Sequence, residues 1–267
     1  MLKNEMVAYL LQYLIKENKQ FKIAKIPKHL DGQENLLRIL FNVRPPMPVS
    51  SYFLRIQNQY LQLKAAERTV VFLNQLQPLL RNNRLYIWQG DMTRLKVDAI
   101  VNDASQDLLG CFHPLHNCTD NSIHTYSGVQ LRLDCHHLMQ EQGEAEPIAS
   151  AKITSAYNLP AKCVIHTISP KITSASDLQH LSLLRQAYWA CLTIAEKNQL
   201  QSLALPILGK TEQAKQALNL QLVQVAVATA CAFLEQSHSI KHLVFSASNQ
   251  DEYQLFQRLL NQSKPIT

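Results

Sequence analysis

Cys111, His116 and Cys118 lie within Gly110-Cys111-Phe112-His113-Pro114-Leu115-His116-Asn117-Cys118, which packs two thiols and two imidazoles into eight residues after a strand-like run. A Cys-x4-His-x-Cys array offers a tetrahedral zinc three ligands and leaves the fourth position open, as catalytic zinc requires. Thiolates and a neutral imidazole suit that ion. Once bound, it can polarise a substrate oxygen or bring the pKa of water to about 7. His113 is an extra imidazole outside this set; as a fourth ligand it would make the site structural. On spacing alone, two buried thiols and a surface histidine account for the segment equally well. Asp120 opens the next helix-like run, either as an acid serving the same site or as an N-cap before Asn121-Ser122-Ile123. Asp91 ends another strand-like run and reads as a turn residue. His124 and His166 sit among apolar neighbours and read as satisfied structural histidines, and His136-His137 reads as helix surface. Cys135, Cys163, Cys191 and Cys231 fall in apolar or helical runs and read as small buried hydrophobes.

The elements that must position these residues alternate. Strand-like runs are Arg84–Gln89, Ala99–Asn102, Ala151–Ala156, Cys163–Ile168, Leu203–Leu208 and His242–Ser246, several of them continuously apolar, as in strands buried on both faces. Helical runs lie between most of them: Asn121–Gln142, Leu178–Lys197, Ala214–Gln236 and Glu252–Asn261. The alternation predicts an α/β sheet with parallel pairs and helices on both sides. Ligands in such sheets bind beyond the carboxyl ends of the strands, where both Asp91 and the Cys/His segment fall. Residues 1–83 read as a helical N-terminal segment packed on the body, residues 84–267. Met6, Val7, Leu10, Leu11 and Leu14 recur at helical spacing, as do Leu36, Leu37 and Leu40. Arg44-Pro45-Pro46-Met47-Pro48 interrupts the helices, and Ser50 or Ser51 caps the next, where Phe53, Ile56, Tyr60 and Leu63 share a face.

Composition bounds the function. At 267 residues with 46% hydrophobic content the chain suits a large core, and no apolar run is expected to approach the ~18 residues of a membrane span. Six cysteines at irregular spacing, behind an amphipathic rather than signal-like N-terminus, predict reduced thiols and a cytoplasmic protein. The net charge of +6 is uneven: residues 1–84 hold 13 Lys and Arg against 5 Asp and Glu, the remainder 13 against 15. A basic N-terminal face can steer an acidic partner or simply be solvated. No aromatics cluster beside it, so nucleic acid is not the expected partner.

Longer motifs add a resemblance. Gln89-Gly90-Asp91-Met92-Thr93-Arg94-Leu95, then Val97-Asp98-Ala99-Ile100-Val101-Asn102, resembles the opening of a macrodomain, the ADP-ribose-binding α/β/α fold. The run from Gly110 through Cys111, His116, Cys118, Asp120 and Asn121 to His124 resembles the zinc-containing macrodomains, bacterial protein-ADP-ribose hydrolases. Gly128-Val129-Gln130-Leu131-Arg132, Ala156-Tyr157-Asn158-Leu159-Pro160 and Asn42-Val43-Arg44-Pro45-Pro46 extend the match across nearly the whole chain. The resemblance implies a three-layer α/β/α mixed sheet with a helical N-terminal extension. It implies zinc on Cys111, His116 and Cys118, with Asp120 and Asn102 as catalytic residues. ADP-ribose would meet Asp91 (through the adenine amino group), Met92, Asn102, Ser105 and Asn121; in the loop that departs from the family, Gly209 and Lys210 could still contact a phosphate, the lysine as a point charge, with Glu212 working against it. The implied substrate is ADP-ribose on an Asp/Glu-type linkage of an acidic protein, of the lipoyl-carrier kind.

Three departures stand out. The family's Asn-Ala-Ala-Asn is Asn102-Asp103-Ala104-Ser105 here. Its His-Thr-Val-Gly-Pro is His166-Thr167-Ile168-Ser169-Pro170. Its Ser-Thr-Gly-x-Phe-x-Phe-Pro loop is replaced by Leu208-Gly209-Lys210-Thr211-Glu212-Gln213-Ala214-Lys215. The metal half of the implied site is intact and the phosphate half is rebuilt. Two other readings therefore stand beside the hydrolase: a non-catalytic reader of ADP-ribose or a related nucleotide, and a structural zinc protein with no nucleotide site.

Overall fold

The computed structural model describes residues 1–17, 25–80, 82–174, 177–210 and 216–261. Three helices come first, α1 (Lys3–Glu17), α2 (Leu30–Val43) and α3 (Ser51–Glu67). Their apolar stripes close on one another through Val7, Leu10 and Leu11, then Leu37 and Leu40, then Phe53 and Ile56. α2 stops where Arg44, ahead of Pro45, goes extended. The buried Arg44 forks onto Glu17 at 2.7 and 2.8 Å and donates to the Met47 carbonyl at 2.8 Å, so the proline turn is pinned in place. Ser50 caps α3, its Oγ accepting from the Phe53 amide at 3.1 Å.

The expected helical segment to residue 83 ends early, at Glu67. Thr69 takes a positive φ of 61°, and the chain turns into two short strands, β1 (Val71–Phe72) and β2 (Pro78–Leu79). β2 pairs antiparallel with β3 (Asn82–Gln89), and β1 pairs parallel with β4 (Leu95–Lys96). A boundary between residues 83 and 84 therefore falls inside a paired hairpin.

The main sheet adds β5 (Ala99–Asp103), β6 (Ala151–Ser155), β7 (Cys163–Thr167), β8 (Ser202–Leu205) and β9 (His242–Ala247). Its order is β2-β3-β9-β8-β5-β7-β6, with β3, β9, β8, β5 and β7 mutually parallel and the two edges antiparallel. One face carries α4 (Thr119–Ser127) and α5 (Val129–Gln142). The other carries α6 (Leu178–Lys197), α7 (Gln216–Gln236) and α8 (Gln250–Asn261). This is the expected three-layer α/β/α body with a mixed sheet. In β5 the pleat sends Ala99 and Val101 to the α6–α8 core and Ile100 to the α4–α5 core.

Two further expectations change and a third is not reached. Leu203–Leu208 shortens to β8 because Pro206 cannot continue a central ladder. The Ala214 start of the next helix lies outside the described residues. Leu218–Gln236 is, against expectation, long and apolar enough to cross a membrane, but Leu222, Val223, Ala226 and Ala230 are core residues here.

The helix expected over Asn121–Gln142 is two helices broken at Gly128. Gly128 has φ +96°, and a Cβ there would stand 2.6 Å from Gln57 Nε2. Gln57, fully buried on α3, accepts from the Val129 amide at 2.9 Å and donates to Gln130 Oε1 at 2.7 Å. The N-terminal segment thus caps α5. Gln57→Ala leaves the Val129 N–H buried and unpaired, a loss of about 1–3 kcal/mol. A lower urea midpoint at unchanged slope is expected; an unmoved midpoint would refute the cap.

Candidate active site

β5 ends in two polar side chains on opposite faces. Asn102, fully buried, points towards α4 and donates from Nδ2 to Asp120 Oδ1 at 2.7 Å. Its Oδ1 is buried and has no hydrogen-bond partner among the described residues. Behind it, His166 Nδ1 lies 3.3 Å from Asn102 Nδ2 and Nε2 lies 2.9 Å from Thr154 Oγ1. An amide N–H can only donate, so the network assigns Nδ1 as acceptor and places the proton on Nε2. Burial keeps His166 neutral, its pKa down to about 4. It is the satisfied structural histidine expected.

Asp120 occupies the first turn of α4 and does not cap it. The cap is Cys118, whose Sγ accepts from the Asn121 amide at 3.4 Å. Burial pushes the Asp120 carboxyl up to about 6, against the Asn102 bond and the Arg132 charge that lower it. His124, one turn on, departs from the satisfied role. Both ring nitrogens are buried without a hydrogen bond among the described residues, and Nε2 stops 3.6 Å from Asp120 Oδ1. Burial, then Arg132 and His166, hold it neutral.

The Cys/His loop folds back on itself so that its three ligand atoms, from Cys111, His116 and Cys118, lie within 4.8 Å of one another. Cys111 Sγ is 3.5 Å from His116 Nδ1. All three residues are half-buried. His113 is exposed and outside the group. Burial pushes the Cys118 thiol above its ordinary value, and Cys111 and Asp120 add to the shift. Such a thiol ionises when a cation takes the proton's place. The donor set and its convergence fit a metal ion of the zinc type, which Cys111, His116 and Cys118 would hold with three ligands. His124, Cys135 and His166 form a second, fully buried group of possible ligands. There the His166 nitrogen nearest Cys135, Nε2 at 3.8 Å, carries the proton and is bonded to Thr154. That group is wired as core rather than as a metal centre.

The loop is held from α2, which sequence patterns did not mark. Arg38 donates to the His116 carbonyl at 3.1 Å and to Asn121 Oδ1 at 3.0 Å. Asn42 accepts from the Leu115 amide at 3.1 Å and donates to Thr125 Oγ1 at 2.8 Å. Asn121, fully buried, spends its amide N–H on the His113 carbonyl at 3.0 Å, so it braces the loop. Arg132 ties Leu109 to the Phe41 and Arg44 carbonyls. The partners of Arg38, Asn42 and Arg132 lie 23 to 91 residues apart in sequence, and no local signal pairs them.

Asp91 caps the turn at Met92–Arg94, with Oδ1 accepting from the Thr93 amide at 2.9 Å and hydroxyl at 2.6 Å. Its Oδ2 pairs with Arg68, another unanticipated contributor, which also donates to Thr93 Oγ1 at 2.7 Å and lies 3.5 Å over the Tyr126 ring. Met92 is buried beneath. Asp91 and Asn102 end separate parallel strands, β3 and β5, on the same carboxyl side of the sheet.

The remaining candidates are tied internally. Exposed Ser105 donates to Asp107 Oδ1 at 2.5 Å. Lys210 pairs with Glu252. The Gly209 amide donates to Asp103 at 3.0 Å. The rest of the rebuilt loop, 211–215, lies outside the described residues.

The macro domain family pattern matches residues 101–215. A Treponema medium protein named "Protein-ADP-ribose hydrolase" is 39% identical over 98% of this chain and 100% of its own length. A protein of the same name from Staphylococcus aureus strain MSSA476 is 35% identical over 95% of this chain and 94% of its own. Among solved structures, the Oceanobacillus iheyensis macrodomain with ADP superposes with a TM-score of 0.57 at 27% identity, covering 65% of this chain and 88% of that one. With its strand order, its Asn102–Asp120 pair and full-length relatives of that name, the chain belongs to the macro domain family, on the branch of the protein-ADP-ribose hydrolases.

Proposed function

We propose that the chain removes ADP-ribose from a carboxylate side chain of an acidic protein, with zinc on Cys111, His116 and Cys118. The observation carrying this is the bond from Asn102 to Asp120 beside the three converging ligands, all at the carboxyl end of β5. Zinc, when bound, supplies Lewis acidity to a ribose or water oxygen. The chain's own groups do the rest. The unpartnered Asn102 Oδ1 accepts from a hydroxyl of the distal ribose, and the Asn102 amide fixes the Asp120 rotamer. Asp120 takes a proton from water as water bonds to the anomeric carbon. The bond from that carbon to the carrier's carboxylate breaks, and the carboxylate leaves. Asp91 meets the adenine amino group once Arg68 shifts aside. The basic N-terminal face steers the acidic carrier, of the lipoyl-carrier kind in the reading from resemblance. Tethering of Ser105, Gly209 and Lys210 favours a second reading, a reader that binds modified protein without cleaving it.

Turnover decides between them. Zinc-loaded protein is expected to release ADP-ribose from a carrier modified on Glu or Asp, and Asp120→Asn to slow release about 10²–10⁴-fold while ADP-ribose still binds. A modified carrier bound but left intact by the native protein identifies a reader. Metal content gives a second check, independent of activity. Native protein is expected to hold one zinc, Cys118→Ala to lose it, and Arg38→Ala, which frees the His116 carbonyl, to weaken it about 10–100-fold in a chelator competition. Undiminished zinc in Cys118→Ala would sink the ligand assignment.

A further inference from the structure

The three places where the sequence leaves the family pattern meet in one structure. Asp103, on the α6–α8 face, accepts from Ser169 Oγ at 2.7 and 2.8 Å and from the Ser169 amide at 3.3 Å. The Ser169 hydroxyl is shared between both carboxylate oxygens, the Ser169 amide goes to Oδ1, and Oδ2 also accepts from the Gly209 amide at 3.0 Å. Ser169 stands in the turn after β7, and Gly209 in the turn after β8. One carboxylate thus ties together the two turns that flank β5, accepting three donors drawn from both. Gly209 takes φ +72°, a backbone form that turns its N–H inward and that a side chain resists. The only nearby cation of this loop among the described residues, Lys210, is bound by the buried Glu252 and lies 3.4 Å from Ser248 Oγ.

We infer that Asp103 is an internal anion that occupies the backbone donor a ligand phosphate would otherwise take, so this protein grips a diphosphate weakly and selects ligands through the ribose and metal end of the site. A backbone N–H offers one donor, and a carboxylate and a phosphate oxygen compete for it on equal terms. The carboxylate is covalently present, so the free ligand always competes at a disadvantage. Its charge also repels a phosphate brought against the same turn. Free ADP-ribose, which carries the diphosphate but no carrier protein, is held least well of the molecules the site meets. Product then leaves readily while modified protein, with its docking surface, still binds. The inference rests on the ADP-ribose reading above, but its first test does not.

Inorganic pyrophosphate is titrated into ¹⁵N-labelled native protein, Asp103→Asn and Asp103→Ala, and the Gly209 amide is followed by NMR. In the native protein the amide is expected to stay fixed and to exchange slowly with solvent. In Asp103→Asn, whose neutral oxygen still fills the space and preserves the fold, exchange should quicken. In Asp103→Ala, pyrophosphate should move the amide. A Gly209 amide that pyrophosphate moves in the native protein, or in none of the three, overturns the inference. Calorimetry then compares ligands. ADP-ribose is expected to bind Asp103→Ala at least tenfold tighter than native protein, with adenosine unchanged. An equal gain for adenosine would show a general loosening and refute a phosphate-specific role. Failure of ADP-ribose to bind any variant, with the Gly209 response intact, would refute the hydrolase reading and leave the internal anion standing.

Discussion

Successive side chains of a strand point to opposite faces, and at the end of β5 that alternation sends Asn102 one way and Asp103 the other. Asn102 goes to α4 and meets Asp120; Asp103 goes beneath the turns after β7 and β8. A slip of one residue in the β5 register would exchange the two, burying a carboxylate beside Asp120 and sending an amide beneath the turns after β7 and β8. The register is fixed by β5 lying between β7 and β8, with Ala99, Ile100 and Val101 fully buried. The chemistry at the strand's end is therefore specified by the packing along its length.

The N-terminal helices form a second support. Arg38, Asn42 and Gln57 reach from α2 and α3 to the Cys/His loop and the α4–α5 break. The loop's Leu115 takes a positive φ of 56°, and its amide donates to Asn42 on α2. Such a loop keeps convergent ligands only when side chains from elsewhere answer its backbone groups. The family pattern at residues 101–215 omits this support, whereas the full-length relatives span it. Arg68, at the end of α3, extends the same contribution to Asp91.

Most of the architecture was legible in the sequence, because apolar periodicity reports burial and burial defines the sheet and its helices. The misreadings have local causes. Gly128 breaks a helix by its φ and by contact with Gln57, which no periodicity encodes. Pro206 trims β8. Val71–Phe72 and Pro78–Leu79 are too short for a pattern, and their pairing is tertiary. In the site, Cys111, His116 and Cys118 were visible because all three sit on one loop. The dependence of that loop on Arg38 and Asn42 was not, since each bond spans more than seventy residues. Asp103, Ser169 and Gly209 were each recognised as departures. That they form one unit follows only from their meeting in space.

Unmet polar groups show where the fold has been left open to a ligand. A buried donor or acceptor without a partner costs about 1–3 kcal/mol, so folds remove most of them. Among the described residues Asn102 Oδ1, both His124 nitrogens, Arg132 Nη2 and Arg38 Nε have no hydrogen-bond partner, and all belong to the shell around Asp120 and the Cys/His loop. On the opposite face of β5, Asp103, Ser169 and the Gly209 amide are bonded to one another. Six more such atoms lie outside this shell, on Arg84, Trp88, Ser127, Glu146, Asn219 and Gln221, so the contrast at the end of β5 is local: Asn102 Oδ1 is unmet while Asp103 is bonded to both neighbouring turns. Asp103 and Ser169, each standing where the family pattern has a small residue, supply the bonded side of that contrast, because only side chains with an acceptor and a hydroxyl donor can join the two turns there.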